Sequence, residues 1–363
     1  MGFKCGIVGL PNVGKSSLFN ALTDANIASE NYPFCTIEPN SGIVPVPDPR
    51  LNQVASIAQS ANILPATMEF IDIAGLVSGA SKGQGLGNKF LSHIRETDAI
   101  LHVVRLFDDD NITHVTGAIN PLDDVEIVET ELALADLDTC TRALDKAERN
   151  SKSGDKTLLS RAKGLRYLVS LLEKGVILRK VTLEKTIEDL TKDLGLLISK
   201  PVLFVSNVGE NDLLSNEHYE KLLGYANSTN AECLAICAAL ESEIIALPHG
   251  ERIEYLKASG LSEPGLNRLI RAGYKLLQLQ SFFTTGPKES RAWTIPVGSY
   301  APTAAGVIHG DFEKGFIRAE VIGYDDFVGY GGEQGAKERG KLRSEGKDYI
   351  VADGDVMHFR FNL

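Results

Sequence analysis

The chain has 363 residues, 43% of them apolar, enough to bury two or three cores without disulfide or metal staples. Its 37 basic and 48 acidic residues leave a net charge of −11, as expected of a soluble acidic protein, and no apolar run approaches the roughly 18–20 residues that span a bilayer. Five cysteines (Cys5, Cys35, Cys140, Cys233 and Cys237) form no C-x-x-C pair and no signal-peptide pattern precedes them, so reduced thiols in a cytoplasmic protein without a membrane contact are expected.

The first element is a short apolar run, Cys5–Val8, suited to a buried parallel strand. It leads into Gly9-Leu-Pro-Asn-Val-Gly14-Lys15-Ser16, the spacing G-x-x-x-x-G-K-S of a P-loop. Glycines let backbone N–H groups turn inward around phosphates, Lys15 reaches the β- and γ-phosphates, and the Ser16 hydroxyl ligates Mg²⁺. A helix over Ser16–Leu22 then points its N-terminus at the anion. Asn12, Val13, Gly14, Lys15, Ser16 and Ser17 are the candidate phosphate contacts, and Lys15 is also the first catalytic candidate.

Thr36 lies in Tyr32-Pro-Phe-Cys-Thr36, between the first helix and the next strand, where a threonine can ligate Mg²⁺ when a γ-phosphate is present. The next strand, Thr67–Ile73, carries Asp72 near its end, followed by Ala74 and Gly75. D-x-x-G is weak alone, but on a strand after a P-loop it supplies a Mg²⁺-side carboxylate and a γ-phosphate-sensing glycine amide. GTPases of the Ras type place a water-orienting glutamine next. This chain has Leu76, which cannot hydrogen-bond water, so hydrolysis is slow or another group positions the nucleophile. His114, after the third strand (Ile100–Arg105), is one candidate for that role or a structural histidine at a helix start; His93 is another candidate. The glycines of 79–87 mark a switch segment.

From about Pro121 to Leu197 no strand-like run occurs. Helical periods over Glu129–Arg149 and Lys156–Glu173, joined by the polar turn Asn150–Asp155, predict an antiparallel helical hairpin, with a further helix over Leu183–Leu194. Between Arg142 and Lys180 there are 11 Lys/Arg against 4 Asp/Glu, a local charge of +7. Lys146, Arg149, Lys152, Lys156, Arg161, Lys163 and Arg166 cluster around the hairpin tip, and they make either a solvated helical face or a phosphate contact with nucleic acid.

Two more strands, Val202–Ser206 and Cys233–Cys237, complete a doubly wound, mostly parallel sheet whose ligand site belongs at the carboxyl ends of its strands. After the first of them GTPases carry N-K-x-D, but here the sequence is Asn207-Val208-Gly209-Glu210. Val208 removes the lysine stem that covers the base, and Glu210 is one methylene too long for the guanine edge. Leaving guanine donors unpaired costs several kcal/mol, of order the penalty for buried unmet hydrogen bonds, which favours adenine. Asn207 either accepts the adenine amine or bridges loops to the P-loop. After Gln280, short β-like runs (Phe282–Thr285, Ala292–Pro296, Phe316–Val321, Tyr349–Val351, Val356–Phe361) predict a small α+β domain. Its stretch Gly331–Lys347 is either a flexible basic loop or a second nucleic-acid contact.

The motifs Gly9–Ser16, Asn31–Thr36, Asp72–Leu76 and Asn207–Glu210, with a C-terminal domain from near Gln280, together resemble the YchF subfamily of Obg-like P-loop proteins over the whole chain. The resemblance implies an α/β nucleotide domain with a coiled-coil insertion and a C-terminal TGS domain of β-grasp fold. Expected boundaries are 1–120 with 201–279, then 121–200, then 280–363. It also implies ATP hydrolysed in preference to GTP, Mg²⁺ at Ser16, Thr36 and Asp72, ribosome association, and a stimulating K⁺ near Asn12. The alternatives are an Obg-type GTPase, with Glu210 accommodated by a shifted loop, and an RNA- or ribosome-binding module with a regulatory nucleotide site.

Overall fold

A computed structural model of the chain describes residues 3–24, 40–73, 86–109, 119–151, 155–213 and 216–362. They divide into two compact units, one of residues 3–42 and 69–269, the other of residues 43–68 and 270–363.

In the first unit, β1 (Lys4–Val8) is followed by α1 (Lys15–Asp24). The chain then passes through β2 (Ser41–Pro45), contributes α2 (Pro49–Ala58) and β3 (Asn62–Leu64) to the second unit, and returns with β4 (Thr67–Asp72). After these come α3 (Leu86–Arg95), β5 (Ala99–Arg105), α4 (Pro121–Ser151), α5 (Lys156–Glu173) and α6 (Lys185–Asp193). The unit ends with β6 (Val202–Asn207), α7 (Glu217–Ser228), β7 (Glu232–Ile236), α8 (Ala238–Ala246), α9 (His249–Ala258) and the start of α10 (Gly265–Leu276).

The six-stranded sheet runs β2-β4-β1-β5-β6-β7. β1 is parallel to β4 and β5, β5 to β6, and β6 to β7. All seven residues of β5 and all six of β6 are buried, as a parallel sheet covered on both faces requires. The order reverses at β1, so the loop after β1 opens on a crevice at the strands' carboxyl ends.

The insertion starts at Pro121, where its expected span begins, but its first helix is longer than the Glu129–Arg149 period, since α4 is one helix of 31 residues from Pro121, roughly 46 Å long at 1.5 Å per residue. Pro121 at its first position and Asp123 and Asp124 in its first turn favour that start. α5 opens on an Asp155 cap that accepts from the Thr157 and Leu158 amides. The helices close on Ala147, Ala162 and Leu165, with Leu144 and Leu194 packed alongside. Halfway along α4, Asp136 is fully buried and accepts from the Ile198 amide at 2.8 Å, tying the helix to the segment before β6.

The second unit has the sheet order β11-β10-β12-β8-β9-β3, with β8 (Leu279–Thr285), β9 (Glu289–Pro296), β10 (Phe316–Ile322), β11 (Arg343–Glu345) and β12 (Val356–Phe361). The short helices α11 (Ala301–Ile308), α12 (Gly310–Lys314), α13 (Tyr324–Gly329) and α14 (Glu333–Glu338) lie between these strands in sequence. Ala301, Ala304 and Ala305 of α11 are fully buried against Phe282, Phe316 and Val321, so small side chains bring the helix close to the sheet.

Two expectations are corrected here. Tyr349–Val351, read as a strand, makes only an isolated bridge from Tyr300 to Ile350, and Arg343–Glu345 forms the sheet's edge strand instead. The Gly331–Lys347 stretch is ordered as α14 and β11 rather than as a flexible loop, with Lys341 paired to Asp326 and Arg343 to Glu345. Residues 43–68, placed by sequence in the nucleotide domain, cluster with the C-terminal unit. Arg50 holds them there through Asp48 and Asp353, each at 2.8 Å, and lies over the Phe283 ring.

Candidate functional site

The loop after β1 is shaped by residues that tolerate left-handed backbone. Gly14 has φ +93°, and a Cβ there would collide with the Asn207 side chain. Asn12 takes φ 62°, a conformation asparagine accepts more readily than most residues. Lys15 is the first residue of α1, nearly buried, and its Nζ donates to the Leu10 carbonyl at 2.6 Å. Burial pushes its ammonium down to about 8, against the upward pull of the Asp72 carboxylate.

Asp72 ends β4 beside Ile7 of β1, which brings its carboxylate to the loop. The Ser16 hydroxyl donates to Asp72 Oδ2 at 3.2 Å, so residues 56 positions apart in sequence meet at the loop. Asp72 Oδ1 is buried and has no hydrogen-bond partner among the described residues. A buried carboxylate oxygen without a donor, beside a serine hydroxyl, fits a hard divalent cation such as Mg²⁺.

The crevice beyond is a cleft of about 630 Å³. It is lined by Asn12, Gly14, Lys15, Ser16 and Ser17 on one side and by Asn207, Val208 and Glu210 on the other. Val13 instead turns its side chain into the core and gives its carbonyl to Asn207 Nδ2 at 3.0 Å. Asn207 Oδ1 accepts from the Ala238 amide at 3.1 Å, so this side chain ties the P-loop to the start of α8. Val208 is buried at the floor, and Glu210 is exposed at the rim in a short 3₁₀ turn, Glu210–Asp212.

Sequence reasoning missed Phe107, Asp108, Asp109, Ser242 and Glu243, which also line the cleft. Their signal was topological, since residues just past the ends of β5 and β7 fall at the carboxyl edge of the sheet. Arg105 shapes the first group: its Nε donates to the Phe107 carbonyl at 3.0 Å and its guanidinium lies 4.5 Å from the Phe107 ring.

Residues 4–132 match MMR_HSR1, described as "50S ribosome-binding GTPase", and residues 279–362 match YchF-GTPase_C, described as "Protein of unknown function (DUF933)". The chain is 58% identical over 363 residues to "Ribosome-binding ATPase YchF" of Pasteurella multocida, covering 100% of both chains. The chain belongs to the YchF family of P-loop nucleotide hydrolases. It is also 50% identical to the protein of the same name from Bacillus subtilis, again covering 100% of both. The "Structure of the Schizosaccharomyces pombe YchF GTPase" matches with TM-score 0.89 and 35% identity, over 99% of this chain and 98% of that one.

The YchF candidates Thr36, Gly75, Leu76, His114 and Lys152 lie outside the described residues. His93 is exposed on α3 and does not line the cleft. Of the six other hairpin cations, Lys146, Arg149 and Lys156 flank the turn between α4 and α5, and Arg161, Lys163 and Arg166 follow further along α5. Lys156 and Arg166 are ten positions apart on α5, roughly 15 Å along the axis. Arg166 pairs with Glu148 at 2.5 Å and Arg161 with Asp193 at 3.3 Å, while Arg149 Nε donates to the Asp145 carbonyl at 3.0 Å. Lys146, Lys156 and Lys163 are exposed and have no carboxylate within ion-pair distance among the described residues. No helix among the described residues is long and apolar enough to cross a membrane.

Proposed function

We propose that this chain is a cytoplasmic, Mg²⁺-dependent ATPase that prefers ATP to GTP and works as a slow switch on the ribosome. The observation that carries the reading is the Ser16–Asp72 pair, whose buried Oδ1 meets no donor among the described residues, set beside Lys15. Ser16, Asp72 and Thr36 would hold Mg²⁺, which when bound offsets charge on the transferring phosphate. Lys15 and the 12–17 segment bind and orient the phosphates. Asn207 keeps the cradle in register with α8, leaving Glu210 and the neighbouring backbone to face the base. Leu76 offers water no hydrogen bond, which is why turnover is slow. Asn12 is the candidate for a K⁺ contact, and His114 for a group that assists the nucleophile.

The named relatives are ribosome-binding ATPases, and we extend both properties to this chain. By sequence the nucleotide domain is 1–120 with 201–279, the helical arm 121–200 and the TGS-like domain 280–363, and residues 43–68 cluster with the last of these. The arm, through Lys146, Lys156 and Lys163 above all, and the C-terminal domain contact RNA or ribosome. Equilibrium titration of the purified chain with non-hydrolysable ATP and GTP analogues, with and without Mg²⁺, is the test. Tighter binding of the GTP analogue overturns the ATP assignment.

A further inference from the structure

A second cleft, of about 700 Å³, lies wholly within the insertion between α5 and α6. Ser160, Gly164 and Tyr167 recur at helical spacing along the α5 wall, with Lys163 beside them. Gly164 sets the depth, because a Cβ there would meet Leu190 Cδ1 at 2.6 Å and Ile187 Cδ1 at 3.0 Å. These two α6 side chains form an apolar floor.

Three features mark the cleft as open to a ligand. Tyr167 is 46% exposed, a large aromatic face left in solvent. The hydroxyls of Ser160, Thr182 and Thr186, which line the cleft, make no hydrogen bond among the described residues. Lys163 has no carboxylate partner among the described residues, whereas the acids of α6 are engaged, Asp189 with Lys185, Glu188 with Lys192 and Asp193 with Arg161. Of the charges lining this cleft, Lys163 and Glu184 are left outside those pairs, and Lys163 stands one turn from the aromatic ring.

We propose that the α5–α6 cleft binds a single-stranded RNA segment, with one base stacked on Tyr167, a phosphate at Lys163 and the free hydroxyls meeting ribose 2′-OH groups. An exposed ring sequence-tolerant to any base, a cation one turn away and hydroxyl partners are what unpaired RNA requires. A duplex offers no free base face. The proposal rests on the reading of the insertion as an RNA-facing arm, but it locates the contact in a groove rather than at the tip.

The test uses the full chain, a fluorescein-labelled single-stranded oligouridylate and a duplex of the same length. Tyr167→Ala is expected to weaken single-strand binding roughly 5- to 100-fold, with Tyr167→Phe near wild type and nucleotide affinity unchanged. Single-strand binding that survives both Tyr167→Ala and Lys163→Ala overturns the proposal. So does a Tyr167→Ala variant that loses ribosome association while binding the oligonucleotide normally, since the groove would then take a protein segment. Charge reversal at Lys146 and Arg149 separates the two ideas. If it leaves ribosome association intact while Tyr167→Ala still weakens RNA binding, the tip reading fails and the groove is supported.

Discussion

Asn207 joins two loops that sequence leaves far apart, its Nδ2 donating to the Val13 carbonyl at 3.0 Å and its Oδ1 accepting from the Ala238 amide at 3.1 Å. Both atoms are buried beside Gly14, whose missing side chain makes room for them. The side chain therefore supports the cradle from below. Replacing Asn207 with Ala is expected to weaken ATP and GTP analogues alike, by roughly 10- to 100-fold, since two buried bonds of about 1 kcal/mol or more are lost. Parallel titrations check this. Loss confined to ATP would mean that Asn207 reads adenine instead.

Lys15 makes nucleotide binding pH-dependent. Its ammonium sits at about 8 rather than 10.5 because burial disfavours the charge. The folded pKa is depressed, so the cost to stability is present below about 8 and is relieved as pH rises toward 10.5. Phosphate binding needs the charged form, and affinity for an ATP analogue should fall above pH 8, approaching tenfold per pH unit. Calorimetric titration across pH 7 to 9.5 measures it, with Lys15→Met expected to be weak and flat.

Asp136 opposes folding at neutral pH. Burial raises its carboxyl from 3.8 to about 6, partly countered by the Leu197 and Ile198 amides. With a folded pKa above the unfolded one, its cost is full above about pH 6 and disappears as pH falls toward 3.8. Asp136→Asn keeps an acceptor for Ile198 and should be equal or more stable by on the order of 1 kcal/mol at pH 7, the gain vanishing near pH 4. Asp136→Ala, which orphans that amide, should lose about 1–3 kcal/mol. Urea denaturation of the three proteins at pH 7 and pH 5 decides between them.

Glu210 stands at the cleft rim, where one methylene sets which base edge it can meet. Shortening it to Asp should shift the ratio of GTP to ATP affinity toward GTP by roughly tenfold, the scale of one charged hydrogen bond. An unchanged ratio would remove Glu210 from base selection.

Gly14→Ala should abolish nucleotide binding while leaving the sheet intact, because a Cβ at φ +93° collides with Asn207. Circular dichroism alongside the titration distinguishes a lost site from a lost fold.

The P-loop and the Asp72 strand were legible because each is a local pattern whose spacing alone sets the backbone geometry. The helical insertion was legible for the same reason, since periodicity reports one buried face. On the base side only the motif after β6, Asn207, Val208 and Glu210, was legible. Phe107 and Ser242 carry no motif, and they reach the cleft only because β5 and β7 end at the same edge of the sheet. Val208 compares with a base-covering lysine by alignment of motifs, yet it is buried at the cleft floor.

The sequence by itself determined that this chain holds a nucleotide by its phosphates, because backbone amides, a lysine and a serine need only short-range spacing to form that cradle. The tertiary structure decided which groups support it and where each segment belongs. Asn207 became a bridge through contacts 194 and 31 positions away, and residues 43–68 joined the C-terminal unit through an Arg50–Asp353 pair 303 positions apart. Such partners are chosen by packing and by the cost of leaving buried polar groups unmet, and no local pattern records them.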